Sequence, residues 1–109
     1  MTSGPIAPDL PDLMRRAGDA SAFLKAVAHQ HRLLLLCLIA ERDRSVSELE
    51  ALLALRQANI SQQLARLRRD GLVTARRDGK SVIYSLANTD TRRIITTLHD
   101  VFCATPSAP

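Results

Sequence analysis

Apolar residues recur at helical spacing along most of this chain. A second predicted helix, residues 30–41, contains a segment from Leu33 to Ala40 that is apolar on every side. Because a helix without a polar face must be buried, we expect it at the centre of the fold. A first helix is predicted from about Asp12, an acceptable N-cap, with apolar positions at Leu13, Met14, Ala17, Ala20, Phe23, Leu24 and Val27.

Two further helices are predicted in the middle of the chain. Ser45 with Glu48 three residues later forms a capping-box pattern, which predicts a third helix with apolar positions at Leu49, Leu52 and Leu53. The segment RQANISQQLARL, residues 56–67, predicts a fourth helix that ends by Gly71. Its inward stripe is Ile60, Leu64 and Leu67, and its opposite side carries Ala58, Asn59, Gln62, Arg66 and Arg69.

After the fourth helix the apolar pattern changes from helical to alternating. Residues 72–86 alternate, and Asp78-Gly79 within them is a strong hairpin signal, so two strands joined by a basic tip are expected. A last helix is predicted from about Thr89 or Asp90 to Cys103, with apolar positions at Ile94, Ile95, Leu98, Val101 and Phe102. Residues 1–11 and 104–109 are expected to form a flexible arm and a flexible tail.

Two helices joined by a tight turn and followed by a hairpin predict a winged helix-turn-helix, a mainly α fold with a small β-hairpin, over residues 12–103. The chain has 109 residues, 46% hydrophobic and 24% charged, as expected for one domain. So small a domain buries only about 60 to 70% of its unfolded surface, and a homodimer is therefore expected. The longest apolar run is far shorter than the roughly 20 residues of a membrane span, and a signal-peptide pattern is lacking, so we expect a cytoplasmic location.

Positive charge is concentrated in one quarter of the chain. The net charge is +4 overall, but residues 56–80 contain seven basic residues against Asp70 and Asp78, a local net charge of +5. The remainder carries eight basic and nine acidic residues. This distribution favours a nucleic-acid surface, although a solvated charged face is the commoner explanation for an isolated helix.

The fourth helix and the hairpin tip supply the candidate DNA contacts. Amide side chains bond adenine edges in the major groove, and cations bind phosphates. We predict base contacts from Gln57, Asn59, Gln62 and Gln63, and phosphate contacts from Ser61, Arg66, Arg76, Arg77 and Lys80. The alternative for any one of the amides, Gln63 especially, is that it covers the edge of the core.

Four segments resemble the ArsR family of bacterial repressors: LKAVAHQHRL (24–33), SVSEL (45–49), RQANISQQLARLRRDGLV (56–73) and YSL (84–86). The similarity covers residues 12 to 103. It implies a dimeric winged-helix repressor, paired through its first and last helices, whose affinity for operator DNA falls when an inducer is sensed. A two-fold dimer is expected to bind an imperfect palindrome.

The metal ligands of many ArsR members are not matched here. The resemblance places Ser45-Val46-Ser47 where those members carry a Cys-Val-Cys pair, and hydroxyls are poor ligands for soft metals. A second family ligand set falls on Asn88, Asp90, Val101 and Ala104. His29 and His31 cannot share a helix face, so capping or solvent exposure is expected for them. We therefore predict no bound metal and no cofactor.

The only two cysteines, Cys37 and Cys103, resemble in placement those of the persulfide-responsive subgroup represented by SqrR and BigR. That resemblance implies that reactive sulfur species link the two thiols through several sulfurs and so release DNA. Cytosolic cysteines far apart in sequence are rarely structural disulfides, and redox sensing is a recognised exception. The alternative is that Cys37 is an inert core residue and Cys103 an incidental thiol. His99 lies one turn before Cys103 and could stabilise a thiolate there.

Other functions remain open at this stage. Within the same family, the inducer could be a general oxidant, haem or a metal. A small thiol-based redox enzyme would also use two cysteines, but it needs a base and a substrate pocket that the sequence does not indicate. A single-strand binder would need an aromatic platform, and the chain offers only Phe23, Tyr84 and Phe102.

Overall fold

The computed structural model describes residues 9–103, without the side chains of Gln57 and Ala58. The expected arm and tail therefore lie almost entirely outside the described residues. Five helices and three short strands follow one another in the order α1 (Leu10–Val27), α2 (Gln30–Glu41), β1 (Arg44–Ser45), α3 (Val46–Leu53), α4 (Gln57–Arg69), β2 (Val73–Asp78), β3 (Ser81–Leu86) and α5 (Thr89–Cys103).

The first helix begins earlier than the sequence pattern suggested. Asp9, not Asp12, is the N-cap, and its carboxylate accepts the backbone N–H of Asp12. Proline is tolerated in a first helical turn because its missing N–H has no partner there, so Pro11 does not delay the helix. Asp12 instead pairs with Arg15 and Arg16 on the helix surface. The predicted start at Asp12, and the inclusion of residues 10 and 11 in the arm, were wrong.

The predicted central position of α2 is confirmed. Leu35, Leu36 and Ile39 are fully buried, and they pack against the inward stripe of α4 and against Ile95 of α5. The α4 stripe is also as predicted, since Ile60, Leu64 and Leu67 are fully buried. The apolar face of α4 therefore packs on the core, and its polar face is exposed to solvent.

Helix α3 begins with the predicted capping box. The Ser45 hydroxyl accepts the N–H of Glu48, the Glu48 carboxylate accepts the N–H of Ser45, and both distances are 3.1 Å. Ala54, in the left-handed conformation at φ 54°, ends the helix and makes the tight turn into α4. Leu49 is buried as expected, but Leu52 is exposed. A helix this short covers only one narrow stripe of core, and Leu52 lies beside that stripe.

The predicted hairpin forms, and a third strand joins it. β2 and β3 pair antiparallel from Val73↔Leu86 to Asp78↔Ser81, and Gly79 takes φ 64° in the turn, a conformation that favours glycine. The strand β1 pairs with β3, which gives the sheet order β1-β3-β2. A two-residue strand has no detectable alternation, and therefore the sequence pattern missed it.

Among the described residues, no single helix is both long and apolar enough to cross a membrane. Helices α1 and α2 meet that test of length and composition only when taken together, and they are bent by 96° at the break between them.

Candidate nucleic-acid interface and cysteine pair

The polar face of α4 is exposed in the way a DNA-contacting helix requires. Ser61, Gln62 and Arg66 are exposed, whereas Asn59 and Gln63 are half-buried. The position of Gln63 fits the alternative that it covers the edge of the core. Gln57 is the first residue of α4, and its side chain lies outside the described residues.

The basic tip of the hairpin supplies a second set of cations. Arg77 and Lys80 are exposed, and neither takes part in an ion pair among the described residues. Arg76 differs, because its guanidinium donates to Asp43 at 2.9 Å and to Ser85 at 3.1 Å. Hydrogen bonding of the Asp43 carboxylate, first with Arg76 and then with Ser85, lowers the pKa of this carboxyl below its ordinary 3.8. Arg76 therefore fastens the wing to the loop after α2.

A network of charges lies behind that loop. Arg44 is largely buried; its guanidinium donates to the Leu38 carbonyl at 3.0 Å and to the Glu41 carboxylate at 2.6 Å. Arg92 of α5 donates to the Ala40 carbonyl. The C-terminal end of α2 is thus tied both to β1 and to α5.

The two cysteines come together between α2 and α5. Cys37 is half-buried and Cys103 is exposed, and both are free thiols. They line one cavity of about 200 Å³, whose walls also include Leu33, Leu98 and Phe102. Cys37 reaches a second cavity, of about 150 Å³, between Glu41 and Thr96. His99 lines both cavities.

The environment of Cys37 disfavours its thiolate. Burial raises the pKa of Cys37 above its ordinary 9.0, and negative charge on Cys103 and Glu41 raises it further. Cys103, at the exposed end of α5, is the more accessible thiol. The sequence predicted this pairing only through the family resemblance, since the two residues lie on helices far apart in the chain.

Of the two histidines at the start of α2, His29 takes the expected capping role, whereas His31 lies inside the helix and is half-buried. His29 is the N-cap, and its Nδ1 accepts the N–H of His31 at 3.2 Å. Within residues 9–103, no three His, Cys, Asp or Glu side chains gather closely enough to hold a metal ion.

Comparisons with known proteins agree with this architecture. Residues 29–75 match the family described as bacterial regulatory protein, arsR family. The biofilm growth-associated repressor of Agrobacterium fabrum is 44% identical over 95 residues, which cover 87% of this chain and 81% of the relative. The chain belongs to the ArsR family.

Solved structures of similar proteins show the same fold. The reduced HlyU of Vibrio cholerae is 39% identical, covers 84% of this chain and 97% of its own, and superposes with a TM-score of 0.81. The transcriptional repressor BigR of Xylella fastidiosa is 34% identical, covers 91% and 98%, and has a TM-score of 0.80. The winged helix-turn-helix is therefore confirmed. Because these relatives are transcriptional regulators, the prediction that this ArsR protein is not an enzyme is confirmed as well.

Proposed function

We propose that this ArsR protein is a dimeric repressor that releases its operator when reactive sulfur species bridge Cys37 and Cys103. One observation carries the proposal: two free thiols from different helices line a single, largely apolar cavity. The relatives named as biofilm growth-associated repressors, and the repressor BigR, support repression as the outcome.

The DNA-binding half of the proposal rests on α4 and the wing. The major groove is wide enough for one helix, and the exposed Gln62 and Ser61 lie on the outer face of α4. Arg77 and Lys80 extend from the wing toward a second set of phosphates. We expect the two copies of α4 in a dimer to meet half-sites about 34 Å apart on an imperfect palindrome.

The dimer half rests on apolar side chains that the single chain leaves uncovered. Exposed apolar residues concentrate on α1 and α5, at Leu10, Leu13, Met14, Leu24, Ile94, Val101 and Phe102. So many large apolar side chains on two helices are typical of an interface. A relative from Mycobacterium bovis, 27% identical, is a homodimeric winged helix-turn-helix domain. We infer that α1 and α5 pair two copies of this chain.

The sulfur chemistry balances without a separate oxidant. In forming a tetrasulfide, three persulfide molecules each transfer a sulfane sulfur to the chain growing on Cys103 and leave as thiols. The Cys37 thiolate then attacks the sulfur next to the terminal one and expels the terminal sulfur as hydrosulfide. The two cysteine thiols together lose two electrons, and these electrons reduce the terminal sulfur to hydrosulfide. Cys103 reacts first in this scheme because it is exposed, whereas the raised pKa of Cys37 keeps its thiolate scarce.

Bridging would affect DNA binding through α2. This helix packs on the inward face of α4, while α5 belongs to the dimer interface we infer. A covalent link between α2 and α5 constrains how the two α4 helices are spaced across the dimer. A dimer that must fit two half-sites loses affinity when that spacing or its rigidity changes.

One combined experiment tests the proposal. An operator is selected from random duplexes with the reduced protein and footprinted, and the complex is then treated with a persulfide. We expect protection of two related half-sites, loss of binding on treatment, and an intramolecular Cys37–Cys103 crosslink in the mass spectrum. A single asymmetric half-site would overturn the dimer arrangement, and release of DNA without a crosslink would overturn the dithiol mechanism.

A further inference from the structure

A second basic surface lies between the start of α2 and the outer face of α4. It is an open groove of about 500 Å³, and its lining includes His29, Arg32, Gln62, Arg66 and Arg69. No acidic side chain lines it among the described residues. Guanidiniums from two helices therefore converge on one space without an anion between them.

Arg32 has an unmet hydrogen-bonding group at this groove. Its Nε is shielded from solvent and has no hydrogen-bond partner among the described residues. A buried donor without an acceptor costs free energy, and the cost is larger for a charged group. Arg66 is 3.9 Å from Asp70, a distance too long for a hydrogen bond, so its donors are also available. An anion in the groove would accept hydrogen bonds from the guanidinium donors of Arg32, Arg66 and Arg69 that face it.

We propose that Arg32, together with Arg66 and Arg69, binds a backbone phosphate of the operator, so that α2 contacts DNA directly. The inference rests on the proposed function, because it names a further contact of the same DNA interface. Gln62 lines the groove and also belongs to the exposed face of α4 that we assign to the bases. A phosphate in the groove therefore flanks the contacted base pairs. Planar guanidiniums suit this ligand because they bind phosphate oxygens in bidentate fashion.

The site gives α2 two functions. Arg32 and Cys37 lie five residues apart on the same helix, about 7.5 Å along its axis. A shift of α2 on thiol bridging moves Arg32 relative to the DNA backbone without any intermediate element. Release of the phosphate and closure of the sulfur bridge are then coupled through one rigid helix.

The test compares Arg32→Gln and Arg69→Gln with Arg42→Gln in the full-length reduced protein. Arg42 is exposed at the other end of α2, where it pairs with Glu48, and it serves as the matched control. We expect each groove variant to weaken operator binding several-fold and to lower the salt-dependence slope by about one per protomer, as for a lost phosphate contact. Arg42→Gln should change neither quantity.

Methylphosphonate substitution locates the contact. Neutralising one phosphate at a time should reveal a position beside the half-site that weakens wild-type binding but has no effect on Arg32→Gln. Circular dichroism checks that each variant folds, and Arg69→Gln, at an exposed position, keeps the test valid if Arg32→Gln does not fold. Groove variants that bind like Arg42→Gln would overturn this site while leaving the proposed function intact. If no duplex is selected at all, the proposed function fails and this site with it.

A free anion is the alternative occupant. Inorganic phosphate is added without DNA at ionic strength matched with chloride, and thermal unfolding is recorded. Stabilisation by phosphate that Arg32→Gln abolishes, combined with operator affinity that Arg32→Gln leaves unchanged, would assign the groove to a free anion and overturn the DNA contact.

Discussion

Cys37 and Cys103 lie on separate helices, yet they line one cavity, where burial and then charge on Cys103 raise the pKa of Cys37. The walls of the cavity include Leu33, Leu98 and Phe102. An apolar lining disfavours charged oxidation products and accommodates chains of neutral sulfur atoms. This lining supports our proposal that the two thiols are joined to each other rather than oxidised separately.

Replacing either cysteine should separate sensing from DNA binding. We expect Cys37→Ser and Cys103→Ser to bind operator nearly as tightly as the wild type, because neither residue lies on α4 or the wing. Neither variant should release DNA on persulfide treatment, whereas the wild type should release it and gain a crosslink with two extra sulfur atoms. A Cys37→Ser variant that still releases DNA would falsify the dithiol mechanism. Ser47→Ala, at an exposed position on α3, is a control that should respond like the wild type.

The two thiols should differ in reactivity with pH. Burial, and then charge on Cys103 and Glu41, raises the pKa of Cys37 above its ordinary 9.0 and keeps its thiolate scarce at pH 7, so we expect iodoacetamide to alkylate the exposed Cys103 first. As pH rises through the pKa of Cys37, its thiolate fraction grows and the difference in rate should narrow. In denaturant the two rates should be similar, because burial no longer acts. Faster alkylation of Cys37 than of Cys103 at pH 7 in the folded protein would contradict the order of attack we propose.

Local patterns predicted the helices well. The apolar run in α2, the stripe of α4 and the Ser45–Glu48 capping box are each set by residues within a few positions of one another. Their burial and hydrogen bonds follow from helical geometry alone. The start of α1 was harder to predict, because Asp9 and Asp12 are both suitable N-cap residues. Which of them caps the helix depended on whether Pro11 could enter the first turn, and it does.

Features that join distant segments could not be predicted from local pattern. The strand β1 exists only because β3 offers it a partner. The basic groove needs Arg32 of α2 beside Arg66 of α4, and that proximity depends on how two helices pack. A basic residue directly before the apolar run of α2, combined with a basic outer face on α4, is the signal that could have indicated it. The cavity shared by the cysteines likewise arises from the packing of α5 on α2.

The wing and α4 should contribute differently to DNA binding. Arg77→Ala or Lys80→Ala should weaken binding to every duplex and reduce the salt-dependence slope by about one per protomer, because a phosphate contact carries no sequence information. Gln62→Ala should instead relax discrimination at one base pair by about 1–3 kcal/mol if its contact is bidentate. Affinities for the operator and for single-base variants, measured at several salt concentrations, separate the two effects. If all three variants lost affinity equally for every duplex, the assignment of base contacts to α4 and phosphate contacts to the wing would be wrong.

The capping box should contribute measurably to stability. Ser45→Ala removes the hydroxyl that accepts the N–H of Glu48, and we expect it to lower the free energy of unfolding by about 0.5–2 kcal/mol. Ser47→Ala, two residues later on the exposed face of α3, should change it by less than about 0.5 kcal/mol. Urea denaturation of the reduced proteins compares the pair. Equal losses in both variants would show that the hydroxyl at position 45 does not cap the helix.

The contact between Arg76 and Asp43 should restrain the wing and compete with DNA. Because the folded protein lowers the pKa of Asp43, the carboxylate contributes stability above pH 3.8, and this contribution is lost as pH falls through the lowered value. The pair is exposed, so we expect Asp43→Asn to cost only about 0.2–1 kcal/mol at neutral pH. The difference from the wild type should vanish in acid.

Asp43→Asn should also strengthen DNA binding, since it removes the negative charge that the loop after α2 places beside the wing and leaves Arg76 available for a phosphate. The measurement is operator affinity against salt concentration, and we expect a several-fold gain with a steeper slope. Arg76→Ala supplies the matched background, because Asp43 can act through Arg76 only when the guanidinium is present. In that background Asp43→Asn should have little effect. A gain of equal size with and without Arg76 would mean that Asp43 repels the DNA by its charge alone, and Arg76 would then be a structural clasp of the wing rather than a DNA contact.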